Sequence, residues 1–120
     1  MVDDQASFRR ALCELVEATN GFTLVGEAAS GEAALAAAAE LSPRLVILDK
    51  RMPGMDGIET CRRLTTRDPS VVVVLVSVEE PDEALMRACG AAAFVRKQRL
   101  SPHRLREVWR EHGGGGASGS

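Results

Sequence analysis

Leu45-Val46-Ile47-Leu48-Asp49 is a short, unbroken apolar run that stops on a carboxylate. An amphipathic strand would alternate polar and apolar residues. A run apolar at every position suits a parallel strand buried on both faces. Val71-Val72-Val73-Val74-Leu75-Val76 repeats the pattern with β-branched residues and stops on Ser77. A third candidate, Ala92 to Arg96 (AAFVR), stops on Lys97, and Phe22 to Glu27 (FTLVGE) is β-rich and predicts a further strand.

The segments between these runs have helical character. From Gln5 to about Ala18, apolar residues fall at Phe8, Leu12, Leu15 and Val16, one stripe of a helix that Asn20-Gly21 ends. Ser30 can cap an alanine-rich helix from Gly31 to about Leu41, which Ser42-Pro43 breaks. Further helices are predicted over about Ile58–Thr66 and Asp82–Cys89. A last one begins at Ser101-Pro102, a cap followed by a proline in the first turn, and runs to about Glu111 with Leu105, Val108 and Trp109 on one face. Strands alternating with helices predict an α/β fold: a doubly wound parallel sheet with helices on both faces.

The bulk properties fit one domain. The chain has 120 residues, 45% apolar and 27% charged, the balance of a globular protein rather than a disordered one. A formal net charge of -2, with acids interleaved among the bases at Arg106, Glu107, Arg110 and Glu111, argues against a nucleic-acid-binding face. The three cysteines, Cys13, Cys61 and Cys89, are far apart and include no C-x-x-C pair, which points to free thiols in a reducing compartment. The longest apolar run is too short to span a bilayer and no signal peptide is evident, so a cytoplasmic protein without membrane contact is expected. Residues 113–120, Gly-Gly-Gly-Gly-Ala-Ser-Gly-Ser, have the composition of a flexible linker or expression tag, leaving 1–112 as the domain.

In an open parallel sheet, ligands bind at the carboxyl ends of the strands, near the point where strand order reverses. The residues at those ends are Asp3 and Asp4 after Val2, Asp49 after Leu48, Ser77 after Val76, and Lys97 after Arg96. Clustered carboxylates repel one another unless a cation joins them, and a hard cation that prefers oxygen ligands is Mg2+. Mg2+, an ammonium and a hydroxyl are what a transferring phosphoryl group needs around its oxygens, with one carboxylate as the nucleophile. Each residue alone has an ordinary explanation: Asp3 or Asp4 as helix caps, Ser77 in a turn, Lys97 as a solvated charge, Gly54 and Gly57 as turn formers. The coincidence of suitable groups at four strand ends favours the chemical explanation.

Val2-Asp3-Asp4, Leu48-Asp49-Lys50-Arg51-Met52-Pro53-Gly54-Met55-Asp56-Gly57, Val76-Ser77 and Phe94-Val95-Arg96-Lys97 together resemble the receiver domains of two-component response regulators, in particular those that carry helix-turn-helix output domains. The similarity runs from Asp3 to about Trp109. It implies a flavodoxin-like sheet of strand order 2-1-3-4-5. By that resemblance Asp49 would be the phosphoacceptor, phosphorylated by a sensor histidine kinase. Mg2+ would be held by Asp4 and Asp49, by Asp3 directly or through water, and by the Arg51 carbonyl. Ser77 and Lys97 would bind phosphoryl oxygens, and Phe94 would be the aromatic switch that follows Ser77. The added charge on Asp49 then biases a two-state surface made by the helix after Ser77, the last strand and the last helix.

Three departures from the family accompany the resemblance. Only Met1 and Val2 precede Asp3, so the first strand, which the family places inside the sheet, is truncated, and its neighbours are left with unpaired backbone groups. A truncated or engineered chain is the expectation, with the gap left open, filled from another copy, or compensated by altered pairing; together with an exposed Trp109 it invites a homodimer, although a helical tryptophan is more often simply packed. Gln98 follows Lys97 where the family has proline, which disfavours a cis bond there. The stretch from Ser77 to Gly90 is short for the family, which bears on the output surface.

The leading expectation is a phosphorylation-dependent signalling switch rather than a conventional enzyme. The alternative is a pseudo-receiver, an interaction module that keeps the fold without phosphotransfer. An aspartyl phosphatase is disfavoured because Arg51 stands where such enzymes carry a second Asp. A flavin carrier is disfavoured because Asp3 and Asp4 stand where a phosphate-cradling loop belongs.

Overall fold

A computed structural model describes residues 1–2, 6–50, 54–78, 84 and 88–114. Three strands, β1 (Leu45–Asp49), β2 (Val72–Ser77) and β3 (Ala93–Arg96), form a parallel sheet in the order β1-β2-β3. These are the three runs that each end on a polar group. The helices are α1 (Ala6–Glu17), α2 (Gly31–Leu41), α3 (Gly57–Arg67) and α4 (Pro102–Val108), with a 3-10 turn at Lys97–Arg99 and a π turn at Trp109–Gly114 after α4.

Alternation along the strands divides the core into two layers. Val46 and Leu48 of β1 and Val73 and Leu75 of β2 pack with Ala34 of α2 and Cys61 and Leu64 of α3. Ile47 of β1 and Val72, Val74 and Val76 of β2 pack on the opposite face with Leu12 and Val16 of α1 and Leu105 and Val108 of α4. All six β2 residues are buried, so the central strand is covered on both faces, as its unbroken β-branched sequence demands.

Local capping fixes where the helices begin. The side chains of Ser30, Asp56 and Ser101 accept hydrogen bonds from the amides of Ala33 (3.1 Å), Glu59 (2.9 Å) and Arg104 (3.1 Å). Pro102 occupies the first turn of α4. Ser101→Ala is expected to destabilise the fold by about 1 kcal/mol and to lower the melting temperature by roughly 3–6 °C in a thermal melt followed by circular dichroism.

Two expectations for the N-terminal third need correction or completion. The predicted strand over Phe22–Glu27 is not one: residues 22–27 are irregular, and pairing begins only with a single bridge at Ala28. The physical reason lies next to it. Val2 bridges Ala28 on one side and Leu48 of β1 on the other, both parallel, and among the described residues Met1 and Val2 supply the pairing there. The Val2 amide donates to the Ile47 carbonyl (2.8 Å), the Asp49 amide donates to the Val2 carbonyl (2.9 Å), and the Ala28 amide donates to the Met1 carbonyl (2.8 Å). The bridges place Ala28 and then Val2 beside β1, with β2 and β3 beyond it. These first two places are single bridges rather than strands.

The C-terminal expectations fare unevenly. Trp109 is half-buried rather than exposed: its ring meets Phe22 edge-on at 6.5 Å between centroids, and both pack against the α1/α4 layer. All peptide bonds among the described residues are trans, including the one after Lys97. Of the helix expected over Asp82–Cys89, residues 84, 88 and 89 are helical and the rest lies outside the described residues. The three cysteines are free thiols, Cys61 and Cys89 buried, with burial and the proximity of Cys89 pushing the Cys61 thiol upward.

Candidate functional site at the carboxyl edge of the sheet

Parallel register aligns the strand ends. Asp49 lies level with Val76, and Ser77 lies level with Arg96, so Asp49, Ser77 and Lys97 come off adjacent strands at one edge. Asp49 is 5% exposed and Ser77 2%. A carboxylate taken that far from water needs compensation. Part of it comes from Lys97, whose Nζ lies 3.5 Å from Asp49 Oδ2. The same ammonium sits 4.0 Å from the centre of the Phe8 ring on α1. Phe8 was expected only as part of the core stripe of its helix, and nothing local in the sequence signals its contact with a lysine so distant in the chain.

The backbone around Asp49 is held from two directions. Its amide is bonded to Val2, and the next residue, Lys50, donates to the Val76 carbonyl (2.9 Å) and accepts from the Gly57 amide (2.8 Å). Gly57 is more than a turn former. A Cβ built there would lie 2.1 Å from the Asp49 carbonyl oxygen and 2.6 Å from Lys50 Cα, so only glycine lets α3 start directly against the Asp49 backbone. Asp56 caps that same helix start. Gly54 takes a left-handed φ of 76°, which supports its expected turn role.

The structure thus brings Asp49, Ser77 and Lys97 to one edge. Phe94 lies one strand further on, level with Leu75, partly buried against the α2/α3 layer. Asp3, Asp4 and Arg51, expected as metal ligands, lie outside the described residues. Among the described residues, no helix is long and apolar enough to cross a membrane.

Comparison with known proteins places this geometry. The family model for the response regulator receiver domain matches residues 1–110. Response regulator GacA of Pseudomonas protegens is 36% identical over 99 residues, covering 81% of this chain and 46% of that protein, so the chain spans about half the length of such relatives. The signal receiver domain of the putative response regulator NarL from Mycobacterium tuberculosis superimposes with a TM-score of 0.84 at 28% identity, covering 94% of this chain and 93% of that one. The receiver domain of the histidine kinase CKI1 from Arabidopsis thaliana, solved in complex with Mg2+, superimposes with a TM-score of 0.78 at 25% identity, covering 92% and 87%. A three-stranded parallel edge carrying Asp49, Ser77 and Lys97, together with a family match over nearly the whole folded chain, has one consistent account: this chain belongs to the response regulator receiver domain family.

Proposed function

We propose that the chain is a phosphorylation switch in which Asp49 accepts a phosphoryl group from a sensor histidine kinase with the help of Mg2+. The observation that carries this reading is the Lys97 ammonium 3.5 Å from the buried Asp49 carboxylate at the end of β1. A carboxylate oxygen of Asp49 attacks phosphorus, an acyl phosphate forms, and the bond from phosphorus to the donor's imidazole nitrogen breaks, the imidazole taking up a proton. Lys97 faces the incoming phosphoryl oxygens and balances their charge. Ser77, on the neighbouring strand end, donates its hydroxyl to one of them. Phe94 follows Ser77 inward as the switch residue, and Phe8 steadies Lys97 from α1.

The donor set fits Mg2+. Asp49 offers a hard anionic oxygen, and its amide holds the carbonyl of Val2, after which Asp3 and Asp4 follow directly in the chain. Asp3, Asp4, Asp49 and the Arg51 carbonyl would hold the ion, which when bound supplies charge neutralisation between the carboxylates and the phosphoryl group. The receiver of CKI1 in complex with Mg2+ supports the assignment by likeness.

The domain is proposed to occupy 1–112 with residues 113–120 as a linker, and to act in the cytoplasm, where its kinase partner would present phosphohistidine. Direct binding to nucleic acid or membrane forms no part of this reading.

Titration with Mg2+, followed by amide chemical shifts, tests the metal site apart from phosphorylation. Saturable shifts at Asp49 and Lys50 that Asp49→Asn weakens at least about tenfold are expected. A folded chain that shows none would favour the pseudo-receiver, a fold kept as an interaction module.

A further inference from the structure

Two cysteines in the α2/α3 layer take no part in the reaction proposed for Asp49. Cys61 lies on α3, and Cys89 is the last helical residue before the turn that leads to β3. They are 28 residues apart in the chain, 0% and 2% exposed, and packed in one apolar cluster with Leu48, Leu64 and Leu75. A lone buried cysteine is an ordinary small apolar residue. Two buried cysteines in contact are a dithiol, with chemistry that neither has alone.

Several bonds hold Cys89 against α3. The Cys61 thiol donates to the Cys89 carbonyl at 3.3 Å. The Thr65 hydroxyl, one helical turn further along α3, donates to the same carbonyl at 3.0 Å. Gly90 follows with a φ of 86°, and a Cβ there would meet the Thr65 hydroxyl at 2.7 Å, so the chain lies directly on α3. The two thiols also bond side chain to side chain, which adds to burial in pushing the Cys61 thiol up. A disulfide needs Cβ atoms about 3.5–4.5 Å apart, and thiols close enough to hydrogen-bond reach that geometry by small side-chain rotations.

We propose that Cys61 and Cys89 are a redox modification site, a buried dithiol that a peroxide closes to an intramolecular disulfide, stapling α3 to the chain entering β3. One sulfur takes an oxygen atom from the peroxide: its S–H bond and the O–O bond break, an S–OH group forms, and one water leaves. The second sulfur attacks the first, the S–S bond forms, and the hydroxyl leaves with the second thiol's proton as another water. The two sulfurs together lose two electrons, and the two peroxide oxygens gain them. A dithiol reductant reverses the bond by exchange, so in a reducing compartment it is transient. Peroxide reaches the buried sulfurs through local opening around Cys89, and the neighbouring thiol captures the S–OH group before further oxidation. Cys13 is set apart from the pair, on α1 and 3.4 Å from a Glu27 carboxylate oxygen.

The test does not depend on phosphorylation. The folded chain is treated with hydrogen peroxide and then unfolded in iodoacetamide, and the adducts are counted by intact mass. The untreated chain offers three thiols. Peroxide is expected to remove Cys61 and Cys89 from that count with the loss of two hydrogens. Peptide mapping should find the two joined, and dithiothreitol should restore both. Cys13→Ser is expected to form the same bond, and Cys89→Ala, verified as folded by circular dichroism, to lose it. The closed form should melt about 5 °C or more above the open one, because the bond closes a long loop in the unfolded chain. Both thiols still alkylated after peroxide, oxygen adducts on them without a crosslink, or a crosslink to Cys13 in their place would each overturn the proposal.

Discussion

Asp49→Asn is expected to abolish phosphoryl incorporation from a small-molecule donor while leaving the fold in place. The substitution keeps the shape of a side chain that is 5% exposed at the end of β1, so the packing around it is preserved. It removes the anionic oxygen that, in the proposed function, would form the acyl phosphate, and an amide does not substitute as a nucleophile here. Lys97, 3.5 Å away, is left facing a neutral group, which costs about 1–3 kcal/mol of stability. The intact mass should therefore show no phosphoryl adduct under conditions that modify the unaltered chain, while the melt shows a cooperative transition shifted down by several degrees. An adduct of undiminished yield on the variant would move the phosphoacceptor to another residue.

Gly57→Ala is expected to damage the same site through the backbone. The added Cβ would lie 2.1 Å from the Asp49 carbonyl oxygen, and the neighbouring obstacle is Lys50 Cα rather than a flexible side-chain end. Neither can turn aside, so α3 or the end of β1 must shift. Overpacking of this kind costs about 1–3 kcal/mol. The shift also displaces Asp49 relative to Lys97 and Ser77, and misplacement of about 1 Å can slow a positioned reaction by roughly a hundredfold. A rate of phosphorylation lowered by at least about tenfold, measured on protein shown to be folded at the assay temperature, is the expected outcome. An unchanged rate would mean that α3 yields without moving Asp49.

These effects explain which features were legible in the sequence. β1 and β2 were, because Leu45–Leu48 and Val71–Val76 are apolar at every position and stop on polar groups. α2 and α4 were, because Ser30 and Ser101-Pro102 carry their own start signals. The strand expected at Phe22–Glu27 was not, because strand formation needs a partner. Its β-rich composition is real, but Met1 and Val2 offer one bridge, at Ala28. For Trp109 the sequence left exposed and packed placements open, because Phe22, its partner in the fold, is sequence-distant. The placement of Asp49, Ser77 and Lys97 at one edge was legible from strand ends alone, since parallel register converts an end-of-run residue into an edge residue. Gly57 and Phe8 escaped because their roles depend on what they touch, the Asp49 backbone and the Lys97 ammonium, and neither contact has a local signature.

The loop after Lys97 shows how a departure is accommodated. With Gln98 in place of proline, the chain turns as a trans 3-10 segment over Lys97–Arg99. Lys97 nonetheless lies close to Asp49 and against Phe8. Aiming of the ammonium thus rests on the end of β3 and on α1.

The central claim is that Asp49 takes a phosphoryl group in a reaction that needs Mg2+. The most direct measurement is the intact mass of the unaltered chain after incubation with acetyl phosphate, with Mg2+ and with a chelator in its place, followed by mapping of the modified residue. A gain of one phosphoryl group that requires Mg2+ and maps to Asp49 is predicted. No gain in a folded protein, or a gain indifferent to Mg2+ and located elsewhere, would contradict it.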